Sequence, residues 1–275
     1  MTSLKLPIIG LGTWKLKPAA AKYSTIEALK LGYRFIDTAQ AYRNEKGVGQ
    51  GLQEIFNSGI LKRKDLIVAT KLHPLSLRPR SVFKSTTKSL KKLKLDYVDI
   101  LYVHYPAFVL GYSHKKTLNA ISQLIDEGKV LHLGVSNFTT NMVDEALEVC
   151  DKPIYVNQIE LHPYLKQKQL LEHHKKKGVH VVSYSPLARG YALDDSVIEK
   201  IAKKNNMSAA QVCLVWVISK GAIPIPKATS LEHLHDNFVA KSKQIPSEDL
   251  EIIDKITKYK RMVHPPVVAP KEWKK

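Results

Sequence analysis

Cysteine is scarce: 275 residues hold two, Cys150 and Cys213. They sit far apart and without metal-ligand neighbours, which excludes a clustered cysteine metal site, and no metal is expected. Cys213, inside the apolar run QVCLVWVI, reads as buried filler. Long apolar runs are also missing, none approaching the roughly 18 residues of a membrane span. Met1 to Leu11 lacks the apolar core and small-residue cleavage site of a signal peptide. A soluble, cytoplasmic protein with no membrane partner is the expectation. No Pro/Gly/Ser-rich linker or shift of composition divides the chain, so one domain over residues 1–275 is expected.

Acidic residues are outnumbered, 25 against 43 basic ones, giving a net charge of +18. That excess could suit nucleic acid. Zinc-finger spacing, a helix-turn-helix and an aromatic-and-basic strand motif are all absent, however. The lysines are dispersed over the polar faces of apolar-periodic helices, as in KSLKKLKLD and HHKKKG. A solvated basic surface is expected, with no nucleic-acid partner. Its field would still favour approach of anions, including a phosphate-bearing cofactor. The dinucleotide fingerprint G-x-G-x-x-G is missing too. Gly47, Gly49 and Gly51 fall one residue short of it and lie inside a helical pattern, where they would let a helix pack closely on a sheet.

What is present is a strict alternation. Short β-rich runs (KLPIIGLG, RFID, LIVATK, DILYVH, VLHLGVS, IYVNQIE, VHVVSYS and AIPIPK) are each followed by a helical pattern. Parallel neighbours need a long return path, so alternation implies parallel strands with crossover helices. LIVAT and DILYV are apolar throughout, as expected of strands covered on both faces. Eight such units predict an α/β fold, a closed (β/α)8 TIM barrel; an open doubly wound sheet with an appended domain is the alternative. A short C-terminal tail would cross the barrel mouth.

In such a barrel the C-terminal strand ends and the loops after them gather at one mouth, where the active site lies. That geometry makes neighbours of Asp37 and Tyr42 after the second strand, Lys71 after the third and His104 after the fourth. Ser136 and Asn137 join them from the fifth, Gln158 from the sixth, Tyr184 from the seventh and Lys227 from the eighth. A phenol is a weak acid, with a pKa of about 10. A nearby ammonium lowers that value, and a carboxylate keeps the ammonium charged and fixed. Asp37, Lys71 and Tyr42 can form that relay, with His104 orienting a substrate oxygen. A phenol poised to protonate oxygen suits carbonyl reduction, whose hydride must come from a cofactor. Tyr184 could stack on a flat ring while Ser136, Asn137 and Gln158 hydrogen-bond an amide, together a seat for nicotinamide.

At this point the chain resembles the aldo-keto reductase family. The motifs are GLGTW at Gly10, DTAQAYRNE, ATK, DILYVHYP, GVSNF, VNQIELHP, SYSPLARG and IPKAT, in that order, and the resemblance extends to the region of Asn237. It implies a (β/α)8 oxidoreductase dependent on NADP(H), with NAD(H) use open to it, that reduces aldehydes or ketones reversibly and acts as a monomer. It implies Tyr42 as proton donor, Asp37 and Lys71 as its tuning partners, and His104 as the substrate-orienting residue. Cofactor contacts are implied for Gly12, Thr13, Trp14, Ser136, Asn137, Gln158, Tyr184, Ser185, Leu187, Lys227, Ala228, Thr229, His233, Asp236 and Asn237.

Two departures bear on specificity. His233 stands where members preferring the 2′-phosphorylated cofactor carry arginine, so that preference is expected in weakened form. His73 and Tyr105 stand where many members have tryptophan. With Trp14 they would line a rather polar substrate pocket, open because the segments PAFVLGYSHKK and MVHPPVVAPKEWKK are short. A keto-sugar-acid reductase is one version of this reading. A non-catalytic nicotinamide-binding regulatory subunit is the alternative, opposed by the intact Asp37, Tyr42, Lys71 and His104 set.

Overall fold

A computed structural model describes residues 5–274, so the expected domain reaches past the described residues at both ends. Eight strands form one parallel sheet in sequence order: β1 (Leu11–Gly12), β2 (Phe35–Asp37), β3 (Ile67–Leu72), β4 (Val98–Val103), β5 (Val130–Ser136), β6 (Ile154–Glu160), β7 (His180–Tyr184) and β8 (Ala222–Pro224). The helices are α1 (Pro18–Leu31), α2 (Glu45–Asn57), α3 (Pro79–Leu93), α4 (His114–Asp126), α5 (Thr140–Val149), α6 (Lys168–Lys177), α7 (Ser196–Lys204), α8 (Ala209–Ser219), α9 (Leu231–Val239) and α10 (Ser247–Asp254). The alternation read from the sequence is therefore the architecture, a (β/α)8 barrel.

The seam is closed by the first and last strands. Gly10 N–H donates to Pro224 O at 3.0 Å and Gly12 N–H to Pro226 O at 3.1 Å. A Cβ on Gly12 would stand 2.5 Å from Ile225 O, so only glycine lets the two backbones approach this closely. The run KLPIIGLG contributes just two residues to the sheet, fewer than its composition suggests.

Alternate strand residues face inward and outward, and two cores result. Phe35, Ile67, Ala69, Ile100, Tyr102, Val156, Val182 and Ile225 fill the barrel. The opposite strand faces join the helices in a larger outer core. The glycines of α2 act differently from expectation. Added Cβ atoms would meet Pro18 O at 2.0 Å from Gly47, Lys92 O at 2.4 Å from Gly49 and Lys22 O at 2.8 Å from Gly51. They admit the neighbouring helices α1 and the end of α3, not the sheet. Among the described residues, no helix is long and apolar enough to cross a membrane.

Candidate active site

β2 delivers Asp37 at its last residue, and parallel pairing aligns it with Ala69 of β3, two residues before Lys71. Both side chains are buried. Lys71 Nζ donates to Asp37 Oδ1, to Thr38 O at 3.0 Å and to Tyr42 Oη at 3.2 Å. Gln158, from inside β6, donates through Nε2 to Asp37 Oδ2 at 2.7 Å. The carboxylate is thus held from two sides across the barrel. Tyr42 ends a one-turn 3-10 helix, Gln40–Tyr42, closed by Arg43 at φ 57°. The His104 ring stands edge-on to Tyr42, with 5.7 Å between centroids.

Burial governs the protonation of this group. It pushes Asp37 up and Lys71 down, while their mutual attraction opposes both shifts. Tyr42 lies well above the usual phenol value because burial disfavours its phenolate and Asp37 repels it. The lowering expected from Lys71 is not seen, and the shift is upward. His104 lies well below the ordinary imidazole range, first through burial and then through Lys71. The site therefore presents a neutral phenol and a neutral imidazole side by side. His104 Nδ1 is buried without a partner.

A second cluster borders the first. Asn137, at φ 65°, donates from Nδ2 to His104 O at 2.9 Å and Ser136 Oγ at 3.0 Å, and its Oδ1 accepts from Tyr184 Oη at 2.7 Å. Ser136 Oγ is committed to Gln158 O at 2.9 Å. The Tyr184 ring is therefore fixed in orientation at the edge of the site.

Asp37, Tyr42, His104, Asn137, Gln158 and Tyr184 floor a cavity of about 540 Å³. It is lined by Gly12, Trp14, Asp37, Tyr42, His104, Tyr105, Asn137, Gln158, Tyr184, Ser185, Leu187 and Lys227, all expected, and by Lys15, Arg189, Ile225, Pro226 and Val263, which were not. Other expected residues lie elsewhere. Thr13 is buried, its hydroxyl donating to Asp37 O at 2.9 Å. Ser136 and Ala228 are buried beside the cavity without lining it, and Thr229 is exposed. His73 turns its Nδ1 to the Leu75 N–H at 3.2 Å, and the wall expected of it is absent. His233 and Asp236 border a separate depression with Ser208 and Gln211. Asp236 accepts there from Ser208 Oγ at 2.7 Å and Gln211 Nε2 at 2.8 Å. Asn237 is buried on α9.

Of the missed residues, Arg189 belongs to the loop after β7, Lys15 follows β1, Ile225 and Pro226 follow β8, and Val263 comes from the segment after α10. Ser185, Ala188 and Arg189 all have positive φ, of 51°, 49° and 57°. Three non-glycine residues in that region mark a strained loop of the kind found at functional sites. Arg189 Cζ lies 4.6 Å from the centre of the Trp14 ring, and Lys15 Nζ lies 4.7 Å from it. The sequence signal was SYSPLARG itself, whose arginine sits two residues past Leu187. With Lys227, these cations give one side of the cavity a strong preference for anions. Polar hydrogen-bonding groups and a fixed aromatic ring occupy the floor. That donor set fits a flat amide-bearing ring joined to phosphates.

A closed parallel barrel with a buried Asp–Lys–Tyr relay and a neutral histidine at its C-terminal mouth defines a class, the barrel-fold carbonyl oxidoreductases. The aldo/keto reductase family model matches residues 8–258. Methylglyoxal reductase DkgB of Escherichia coli O157:H7 is 38% identical over 271 residues, 98% of this chain and 100% of that protein. A putative 2,5-diketo-D-gluconic acid reductase B superposes with a TM-score of 0.90 at 32% identity, covering 97% of this chain and 93% of the other. A Bombyx mori aldo-keto reductase in complex with NADP gives 0.87 at 29% identity, over 94% and 92%. The chain belongs to the aldo/keto reductase family and is an NAD(P)H-dependent oxidoreductase.

Proposed function

We propose that the protein reduces small aldehydes and ketones, 2-oxoaldehydes of the methylglyoxal kind foremost, at the floor of the cavity, with the reverse oxidation available. The observation that carries this reading is the hydrogen-bonded Asp37–Lys71–Tyr42 relay beside neutral His104. The names of the similar reductases from Escherichia coli and Bacillus subtilis, methylglyoxal reductase and glyoxal reductase, support the substrate class.

The reduced nicotinamide supplies the hydride when bound. Asn137, Gln158 and the Tyr184 ring would hold that ring, and Lys15, Arg189 and Lys227 would offer their charge to its phosphates. Neutral His104 donates a hydrogen bond to the substrate oxygen and orients it between the imidazole and the phenol. Tyr42, kept protonated by burial, carries the proton that this oxygen needs. As negative charge grows on the oxygen, Lys71 at 3.2 Å stabilises the phenolate that forms, and Asp37 keeps the ammonium in place. Trp14, Tyr105 and Val263 bound the substrate side.

The enzyme works as a cytoplasmic monomer on this reading, with neither membrane nor nucleic acid as partner. Oxidation of NADPH against a panel of methylglyoxal, glyoxal and keto-sugar acids tests it. Tight NADPH binding without turnover of any carbonyl would favour the regulatory alternative.

A further inference from the structure

Glu160 is a buried carboxylate that the chemistry above does not use. It is the last residue of β6, two places beyond Gln158, so it shares the inward strand face one layer nearer the mouth. Both oxygens are occupied by the chain's C-terminal strap. Met262 N–H donates to Oε1 at 2.5 Å and Val263 N–H to Oε2 at 2.9 Å. His162, also fully buried, places Nε2 2.9 Å from Oε1. Because a carboxylate can only accept, Nε2 is the donor of this contact, while Nδ1 is buried without a partner.

Three donors thus converge on one buried anion, two of them consecutive backbone amides more than 100 positions along the chain. The strap has further holds: Lys260 N–H donates to Tyr164 O at 3.1 Å, and Lys260 Nζ lies 3.3 Å from the centre of the Tyr191 ring. Among the described residues, only the Glu160 contacts reach the residue that matters to the cavity. Val263 lines it, and its own N–H is one of those bound.

We propose that Glu160, oriented by His162, is a positioning residue that latches the strap and sets Val263 as a wall of the carbonyl pocket, so that it governs discrimination by carbonyl size. The proposal rests on the carbonyl-reductase reading for its substrate and on hydrogen bonding for its mechanism. A carboxylate is needed because both backbone amides require acceptors. In Glu160→Gln one of them meets an NH2 group, and a buried donor is left without a partner.

The test uses the full chain at saturating NADPH. Glu160→Gln is expected to keep the wild-type NADPH affinity and to speed tryptic cleavage after Lys260 and Arg261 by about tenfold, the loss of one hydrogen bond to a charged acceptor. It should also raise kcat/KM for a branched or aryl aldehyde relative to methylglyoxal, mainly through KM. Val263→Ala should shift selectivity the same way, and Glu160→Gln should add little to it in the double variant. Unchanged cleavage and unchanged selectivity in a folded Glu160→Gln protein overturn the proposal, as does full additivity. If that variant does not fold, amide exchange in the wild type decides: slow exchange at Met262 and Val263 supports the latch, and exchange as fast as an exposed tail refutes it. A wild type that reduces neither carbonyl ends the functional reading and the selectivity claim with it, while cleavage and exchange still report on the latch.

Discussion

Tyr42 and His104 meet across 5.7 Å as two groups that burial keeps uncharged. A proton donor that is never ionised in the resting enzyme contributes only when charge develops on the substrate, which is where a general acid is effective. Tyr42→Phe removes the proton and leaves the ring, so kcat should fall by about 10²–10⁴ with NADPH affinity nearly unchanged; stopped-flow turnover and fluorescence titration read the two effects. Wild-type turnover would remove Tyr42 from the mechanism. His233 is exposed on α9, its backbone N–H accepted by Ser230 Oγ at 3.2 Å. His233→Arg should tighten NADPH several-fold while barely moving NADH, because guanidinium offers a fixed charge to a 2′-phosphate; equal gains for both cofactors would place position 233 away from that phosphate. Asp37, Tyr42, Lys71 and His104 were legible from sequence as a group because each lies at or just past the C-terminal end of a strand. Arg189 and Val263 were not. Their relevance depends on how a strained loop and a distant strap fold over the mouth, which no local spacing encodes.

The seam between β1 and β8 is the element that closes the barrel, and its tolerance is measured in tenths of an ångström. Gly12→Ala would drive a methyl against Ile225 O, at 2.5 Å, where backbone has to move. We expect a loss of about 1–3 kcal/mol, the usual range for overpacking, together with weaker cofactor binding, because Gly12 lines the cavity; denaturant unfolding and NADPH titration check this, and a fully stable variant would mean that the seam yields. Helix order and strand count were readable from alternation, since apolar period and length distinguish the two elements. Strand length at the seam was not. KLPIIGLG reads as a full strand, but Pro224 and Pro226 opposite it have no N–H to return, and among the described residues only the hydrogen bonds from Gly10 and Gly12 are made.

Across the whole molecule, the described histidines with shifted pKa values all move in one direction. His73, His104, His114, His132, His174 and His180 are lowered, chiefly by burial, His174 to about 4. In each case the unfolded chain takes up the proton first, so acid favours unfolding. Stability should be full above the ordinary imidazole value of 6.5 and fall as pH drops from there toward 4. Burial raises Asp37 and Asp99 and so acts in the opposite sense, but these are two groups against six. Thermal melts across that range check the sign, and a melting temperature flat or rising on acidification would contradict it. Net charge, the most conspicuous property of the sequence, decided little about the fold. Its use is local, in the cations of the cavity wall.

The proline pair at the seam has a consequence for the chain during synthesis. Until β8 is made, the sheet is a strip with two open edges, and strip edges recruit strands from other chains. When β8 arrives, it presents to β1 the carbonyls of Pro224 and Pro226 and no amide proton from either. A foreign strand could therefore form only half a ladder there. The molecule's own first strand suffers no such loss, because Gly10 and Gly12 supply the donors and Gly12 comes closer to the facing backbone than a residue with a side chain could. Closure is in that sense self-selective: the last edge to form accepts its own beginning more readily than a neighbour.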